Sequence, residues 1–405
     1  MTTLGSAGLL INNDFMKMLD VYYMYPIALK NGKGLELLDE NNKKYLDFYG
    51  GHGVISIGHS HPDFVEAVTQ QLNALAFYSN AFQNPLQNEL AELLGHQSGY
   101  HGYHLFLSNS GAEANENALK AASMITGRKK ILAVKGAFHG RSAGAVAVTD
   151  NVKIRAAFGS QLEVDFIPID SLTGLYNQLI TKEYAAFIIE GIQGVNGVWE
   201  ADSEYWKLAR LLCTQTGTVF IADEIQSGYG RTGEFFAHQH YGVVADIITT
   251  GKGMGNGFPV AGTLFHPSLK LGQGMLGTTF GGGQLACASA IAVLKVIENE
   301  QLLSHARQMG EFLLKKVNEL PLVTAVRGRG LMIGINFSIS GKRVRQLLLD
   351  DFGIITGFSD PDTLRILPPL TLTLEDCERL IEALRKTLTK EMLTSKEQKA
   401  GTLQT

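Results

Sequence analysis

Lys252 stands in the stretch TTGKGMGNGFPVAG (249–262), directly after the apolar pair Ile247-Ile248. A lysine among glycines raises two chemistries: it can help grip a phosphate, or it can be the reactive group. The phosphate-gripping pattern puts the lysine after its glycines and a hydroxyl after the lysine. Here Lys252 comes near the start and Gly253 follows it, and the glycines at 251, 253, 255 and 257 miss the dinucleotide spacing as well. An amine held on a glycine-lined loop in a largely apolar setting suits a different task. Desolvation lowers its proton affinity and makes it a nucleophile toward a carbonyl. A loop lysine in open water would do nothing of the kind, and the loop alone does not separate the two.

Two further stretches carry chemistry. In SNSGAEANENALK (108–120), Ser110 and Glu113 have the spacing of a capping box at the head of a helix. Free backbone N–H groups and the helix dipole make such a head an anion site, and Gly111 and Ala112 allow close approach. An ordinary capped helix would read the same way. In VFIADEIQSGYG (219–230), an apolar run ends in Asp223-Glu224. An acid there can bind metal, orient a histidine, face a protonated ring nitrogen, or simply meet water; no metal-ligand spacing accompanies it. Taken together, a phosphate at a helix head, an acid for a pyridine nitrogen and a lysine for an aldehyde describe a site for pyridoxal 5'-phosphate.

Those residues need a scaffold. Apolar runs at 104–107, 130–134, 164–167, 186–189, 219–222, 247–249 and 261–265 predict strands, and helical patterns such as 112–126 and 203–216 lie between most of them. Apolar strands alternating with helices predict an α/β fold, a mostly parallel sheet covered on both faces, with ligands beyond the strands' carboxyl ends. The loops at 110–112, 138–142, 190–197, 223–226 and 251–257 nearly all follow strands and are expected to converge there. Residues 35–48 read as a hairpin turning at 40–43. From 306 the pattern becomes α+β, and the tail TSKEQKAGTLQT reads as polar and fraying. The expected division is 1–44 as part of a small domain, 45–305 as a large cofactor-binding domain, and 306–405 as the rest of the small domain.

Bulk properties narrow the partners. With 405 residues, 45% hydrophobic, and a net charge of −4 without a basic block, the chain offers a large core and little for nucleic acid or an anionic membrane. Three scattered cysteines read as reduced thiols of a cytoplasmic protein. No apolar run is long enough to span a bilayer, and MTTLGSAGLLINNDF lacks the form of a signal peptide.

The ordered series GHSHP (58–62), NSGAEANENALK, AFHGRS (137–142), EGIQG (190–194), DEIQSGYGRTG (223–233), GKGMGNGFP (251–259), GTTFGGGQLACA (277–288) and RGRGLMIG (327–334) resembles the class III, fold type I pyridoxal phosphate aminotransferases. Within them it is most similar to the acetylornithine/succinylornithine group. The resemblance implies that Lys252 holds the cofactor aldehyde, Asp223 pairs with the pyridine nitrogen and Gln226 with the phenolic oxygen. It implies that Ser110, Gly111 and Ala112 hold the phosphate, that Phe138 stacks on the ring, and that Thr279 reaches a phosphate across a homodimer with shared sites. For the substrate it implies Arg141 and Arg365 as carboxylate ligands, Thr278 in place of a family serine, and Tyr22 in the pocket.

The chain departs from the family at EGIQGVNG, where Gly191 replaces a proline and Val195 a glutamate. In ornithine aminotransferases that glutamate masks the second arginine. Val195 has no acceptor, so Arg365 is expected to lie without that mask, which would favour an N-acylated ornithine over free ornithine. Leu276-Gly277 and Gly283-Gln284 also depart, in a subunit-interface loop. The implied activity is transfer of the δ-amino group of acetyl- or succinyl-ornithine to 2-oxoglutarate in arginine biosynthesis. Free ornithine, 4-aminobutyrate and acyl-lysine remain open as donors. An aminomutase or racemase, or a non-catalytic nucleotide-binding protein, are the rival readings.

Overall fold

A computed structural model of the protein describes residues 18–157, 162–359 and 361–402; the N-terminal stretch read against a signal peptide lies outside them up to residue 17. Its centre is a seven-stranded sheet, in the order His104–Ser108, Ala261–Phe265, Ile247–Thr250, Val219–Asp223, Tyr184–Glu190, Lys130–Val134, Val164–Ile167. The last five are mutually parallel, and only Ala261–Phe265 runs against its two neighbours. The fold class expected from the strand pattern is therefore the one observed. Every residue of Tyr184–Glu190 and Val219–Asp223 is buried, which is why these strands read as unbroken apolar runs.

This topology brings strand termini from across the chain to one edge. Ser108, Val134, Glu190, Asp223 and Thr250 all end their strands there, and the antiparallel strand begins there with Ala261 paired to Ser108. The helix Gly111–Thr126 starts from that edge with Ser110 as its N-cap and stops at Gly127 in the left-handed region. Ser203–Thr216 is closed the same way by Asp202 and Gly217.

Two four-stranded sheets complete the fold. The hairpin at residues 35–48 is present as Glu36–Asp39 and Lys44–Asp47, joined on one side by Leu29–Lys33 and on the other by Ile354–Ile355. The Asp39 carboxylate shapes its turn by accepting the N–H groups of Asn41 and Lys43. The third sheet pairs Val323–Arg329, Met332–Phe337, Thr363–Ile366 and Gly357–Ser359, all antiparallel. Residues 394–402 of the polar tail continue the helix that begins at Leu374, and residues 403–405 lie outside the described residues. The i, i+3 and i, i+4 charge pairs at Glu382, Arg385 and Lys386 support that helix.

Candidate active site

The lysine loop is held rigidly from two sides. Asn256 accepts the N–H groups of Ser56 and Ile57 on Oδ1 and donates to Gly58 O from Nδ2, at 2.9–3.1 Å. Ser56 Oγ donates to Gly253 O at 2.7 Å. Gly251 runs so close to the helix head that an added Cβ would stand 3.7 Å from Gly111 N. Lys252 itself has φ +43°, a conformation most side chains avoid. Its amine makes no hydrogen bond or ion pair among the described residues. Burial pushes its pKa below that of a free lysine and Arg365 adds to this, while Asp223 and Glu190 oppose it.

At the helix head, Ser110 Oγ accepts the Glu113 N–H at 3.2 Å, as a capping box requires. The return bond differs from expectation: Glu113 Oε2 takes the N–H of Asn109, one residue earlier, and the Asn109 side chain as well. The N–H groups of Ser110, Gly111 and Ala112 are thereby left without protein acceptors among the described residues. Gly111 has to be glycine, since a Cβ there would meet Ile225 at 2.7 Å. Gly140 likewise packs against Ala112 and Ala145 at φ +139°.

Asp223 and Glu224 are adjacent in sequence and face opposite ways, as successive positions at a strand end must. Asp223 Oδ2 accepts from Asn115 Nδ2 at 2.8 Å and pairs with His139 Nδ1 at 2.7 Å, while Oδ1 accepts the Ile225 N–H. Glu224 serves a separate buried cluster, taking Ser227 Oγ, two backbone N–H groups and His238, which in turn meets Tyr100. The ambiguity of the acid pair is thus resolved by which face each occupies.

Phe138 sits half-buried with its N–H on Glu190 Oε1, and Glu190 Oε2 accepts from Gly194. Burial pushes the Glu190 carboxyl up to about 7, partly opposed by His139 and reinforced by Asp223. Gln226 donates from Nε2 to His52 O, and its buried Oε1 has no partner. His139 Nε2, Thr250 Oγ1 and Arg365 Nε are buried without partners too.

Arg365 projects from the strand Thr363–Ile366 and is 5% exposed. It donates to Gly194 O, Tyr49 Oη and Phe358 O, and no carboxylate is among its partners. Arg365 lies without the glutamate mask, as expected, since Val195 is 41% exposed and offers it nothing. It is not left open for that reason, because the Tyr49 hydroxyl covers it instead. Arg141 is exposed and unpaired among the described residues. Thr278 accepts from Asn109 Nδ2 at 3.3 Å, which places it beside the helix head, and Thr279 beside it is exposed. Tyr22 is 76% exposed and is not brought to the cluster within this chain; the neighbouring Tyr25 instead lies 5.2 Å from Arg345.

Sequence reasoning missed Asn115, His139, Glu190, Tyr49 and His52. Asn115 had a signal, a polar residue on the buried face of an amphipathic helix. His52 had another, a lone imidazole inside a run of glycines. Among the described residues, no group of three or more His, Cys, Asp or Glu is placed to hold a metal ion, and no helix is long and apolar enough to cross a membrane.

The model of the class III aminotransferases matches residues 19–388. The chain is 36% identical over 380 residues to an acetylornithine aminotransferase of Methanosarcina acetivorans, covering 93% of this chain and 95% of that one. It is 38% identical to a LysW-aminoadipate semialdehyde/glutamate semialdehyde transaminase of Sulfolobus acidocaldarius, covering 93% and 98%. Among solved structures it is similar to the ornithine aminotransferase of Toxoplasma gondii ME49, with a TM-score of 0.85, 28% identity and 92% of each chain covered.

Proposed function

The chain belongs to the class III aminotransferases, and from that premise we propose that it is an N-acylornithine aminotransferase that uses pyridoxal phosphate and 2-oxoglutarate. The observation that carries this reading is the grouping at one edge of the central sheet of an unpaired lysine, a clamped aspartate and an open helix head, with a carboxylate-free buried arginine of the third sheet bonded to Gly194 O in the loop after Glu190. The residues fit the cofactor: the unpartnered N–H groups at 110–112 suit a phosphate, and the buried Gln226 Oε1 and Thr250 Oγ1 have no protein partner of their own. When bound, pyridoxal phosphate supplies an aldehyde that exchanges amines and a protonated ring that accepts electrons.

The chain's own residues do the rest. Ser110, Gly111 and Ala112 would hold the phosphate. Asn115 and His139 fix the Asp223 carboxylate, which would keep the ring nitrogen protonated. Phe138 would cover the ring, and Gln226 would face its phenolic oxygen. Lys252, its amine made less basic by burial, would bind the aldehyde and, once freed, would move the proton between the amine-bearing carbon of the donor and the carbon of the cofactor's aldehyde. Arg141 and Arg365 would take the two carboxylates of glutamate, with Arg141 also taking the α-carboxylate of the acylated donor; a planar guanidinium suits both tasks. Thr278, beside the helix head, would line the donor side.

The reading includes a cytoplasmic homodimer. Val65, Leu72, Leu75, Tyr78, Phe82 and Phe280 are all exposed, more apolar side chains than a monomer needs to leave bare. Phe280 follows Thr279, so a second copy seated there would bring Thr279 toward the neighbouring phosphate site. The acyl preference is supported by the named relative, and arginine biosynthesis is the role that such a reaction would serve. A half-reaction panel tests it: loss of the cofactor's visible absorbance is followed with acetylornithine, succinylornithine, ornithine, acetyl-lysine and 4-aminobutyrate. Turnover of free ornithine on a par with its acyl forms would refute the preference.

A further inference from the structure

Arg365 is covered at the one nitrogen that a two-pronged ligand cannot avoid. A guanidinium offers two forks, Nε with Nη2 and Nη1 with Nη2. Both hydrogens of Nη2 are taken, by Tyr49 Oη at 2.8 Å and Phe358 O at 3.1 Å. Nη1 gives one bond to Gly194 O, and Nε gives none. A carboxylate seeking either fork must displace a partner. Phe358 O is main chain in a paired strand and cannot step aside. The Tyr49 hydroxyl ends a side chain, and rotation about its χ angles removes it.

The direction of the bonds fixes a second residue. Arginine only donates, so Tyr49 Oη accepts there and has its own proton left to give. Nδ1 of His52 lies 2.7 Å away, and with the imidazole proton on Nε2 it accepts that hydroxyl proton. Burial, with Arg365, Lys252 and Arg345, lowers the His52 pKa in agreement, and burial keeps the Tyr49 phenol protonated. The cover is uncharged, unlike a glutamate.

The fold makes room for this pair at a conformational cost. A methyl on Gly357 would overlap the Tyr49 ring. Asp47 Oδ1 accepts the N–H groups of Tyr49 and Gly50, starting a turn in which residues 50 to 53 all have positive φ. Three are glycine, and His52 at φ +71° is the exception. Gln226 holds its carbonyl, tying the turn to the site.

We propose that Tyr49 is a neutral gate on Arg365, latched by His52, that leaves when a substrate carboxylate takes the Nη2 donor. This rests on reading Arg365 as a carboxylate ligand. The gate sets how tightly dicarboxylates bind, and His52 is a positioning residue that acts through Tyr49. Because the entering carboxylate gives up one hydrogen bond's worth of competition, removing the gate should tighten dicarboxylate binding about 3- to 10-fold.

The test is calorimetric titration of the cofactor-loaded enzyme with glutarate, an unreactive dicarboxylate, alongside steady-state kinetics. Tyr49→Phe should lower the glutarate Kd and the KM for 2-oxoglutarate by that factor, with kcat changed less than about two-fold. His52→Asn keeps an acceptor near the Nδ1 position and tolerates positive φ, so it should bind glutarate as the parent does, while His52→Ala should shift toward Tyr49→Phe. Unchanged or weaker glutarate binding in Tyr49→Phe would overturn the gate. Equal behaviour of His52→Asn and His52→Ala would remove His52 from it. If the parent binds no glutarate, or Arg365→Lys binds it equally well, Arg365 is not the carboxylate ligand and the gate falls with that reading.

Discussion

Replacing Asn115 by leucine should damage the cofactor site from a distance. Asn115 is fully buried, and its Nδ2 holds both Asp223 Oδ2 and His139 O at 2.8 Å, while its Oδ1 takes the Thr249 hydroxyl, also at 2.8 Å. Leucine has nearly the same size and none of these bonds. Hydrogen bonds to a charged group contribute about 1.5–3 kcal/mol, so Asp223 loses up to that much of its restraint. Expressed fully in binding, this is a rise of about 10- to 100-fold in the Kd for pyridoxal phosphate. His139 O and Thr249 Oγ1 are left unpaired as well, at about 1–3 kcal/mol each in stability. Equilibrium dialysis against pyridoxal phosphate reads the first effect and thermal unfolding the second. Thr249→Val is the control, because it breaks the Thr249 bond and leaves Asp223 untouched. If both variants retain the cofactor equally, Asn115 does not position Asp223 and the argument is wrong.

Three other outcomes are expected. In the cofactor-free protein, the rate of Lys252 modification by an amine-selective reagent should inflect below the pH of a free lysine; Glu190→Gln should move the inflection further down, Arg365→Met should move it up, and an inflection at the free-lysine value would contradict the burial. The Glu190 carboxyl is raised to about 7 from 4.5 in the fold, so the protonated form is the one the fold favours. Its contribution is fully present below about pH 4.5 and is lost as pH rises through about 7, up to about 3 kcal/mol; Glu190→Gln should flatten that part of the stability curve in urea unfolding. Gly194→Ala would drive a Cβ into the Gln226 amide and against Met332, and should cost about 1–3 kcal/mol and weaken cofactor retention, read by unfolding and dialysis; a silent substitution would mean that Gln226 is free to move.

Much of the scaffold was legible because its signals are local. The strands Lys130–Val134, Val164–Ile167 and Ala261–Phe265 begin and end where their apolar runs do, and Ser203–Thr216 lies between its cap and its terminal glycine. Hydrophobic period and capping chemistry act within a few residues, so they can be read along the chain. The Leu374 helix continues into the polar tail because helix propagation, once started, costs little per residue and polar residues do not stop it.

The chemistry of the site divides on the same physical line. The amino-acid sequence by itself determined that the chain carries a lysine on a glycine loop, an acid at a strand end and a capped helix head, in the order of an aminotransferase. Residue type and short spacing suffice for that. Only the tertiary structure decided which of Asp223 and Glu224 faces the lysine, that Asn115 and His139 clamp it, and that Arg365 is covered by Tyr49 although Val195 cannot cover it. Tyr49 and Arg365 are 316 residues apart in the chain and 2.8 Å apart in the fold. A hydrogen bond depends on position and direction in space, and sequence distance carries neither.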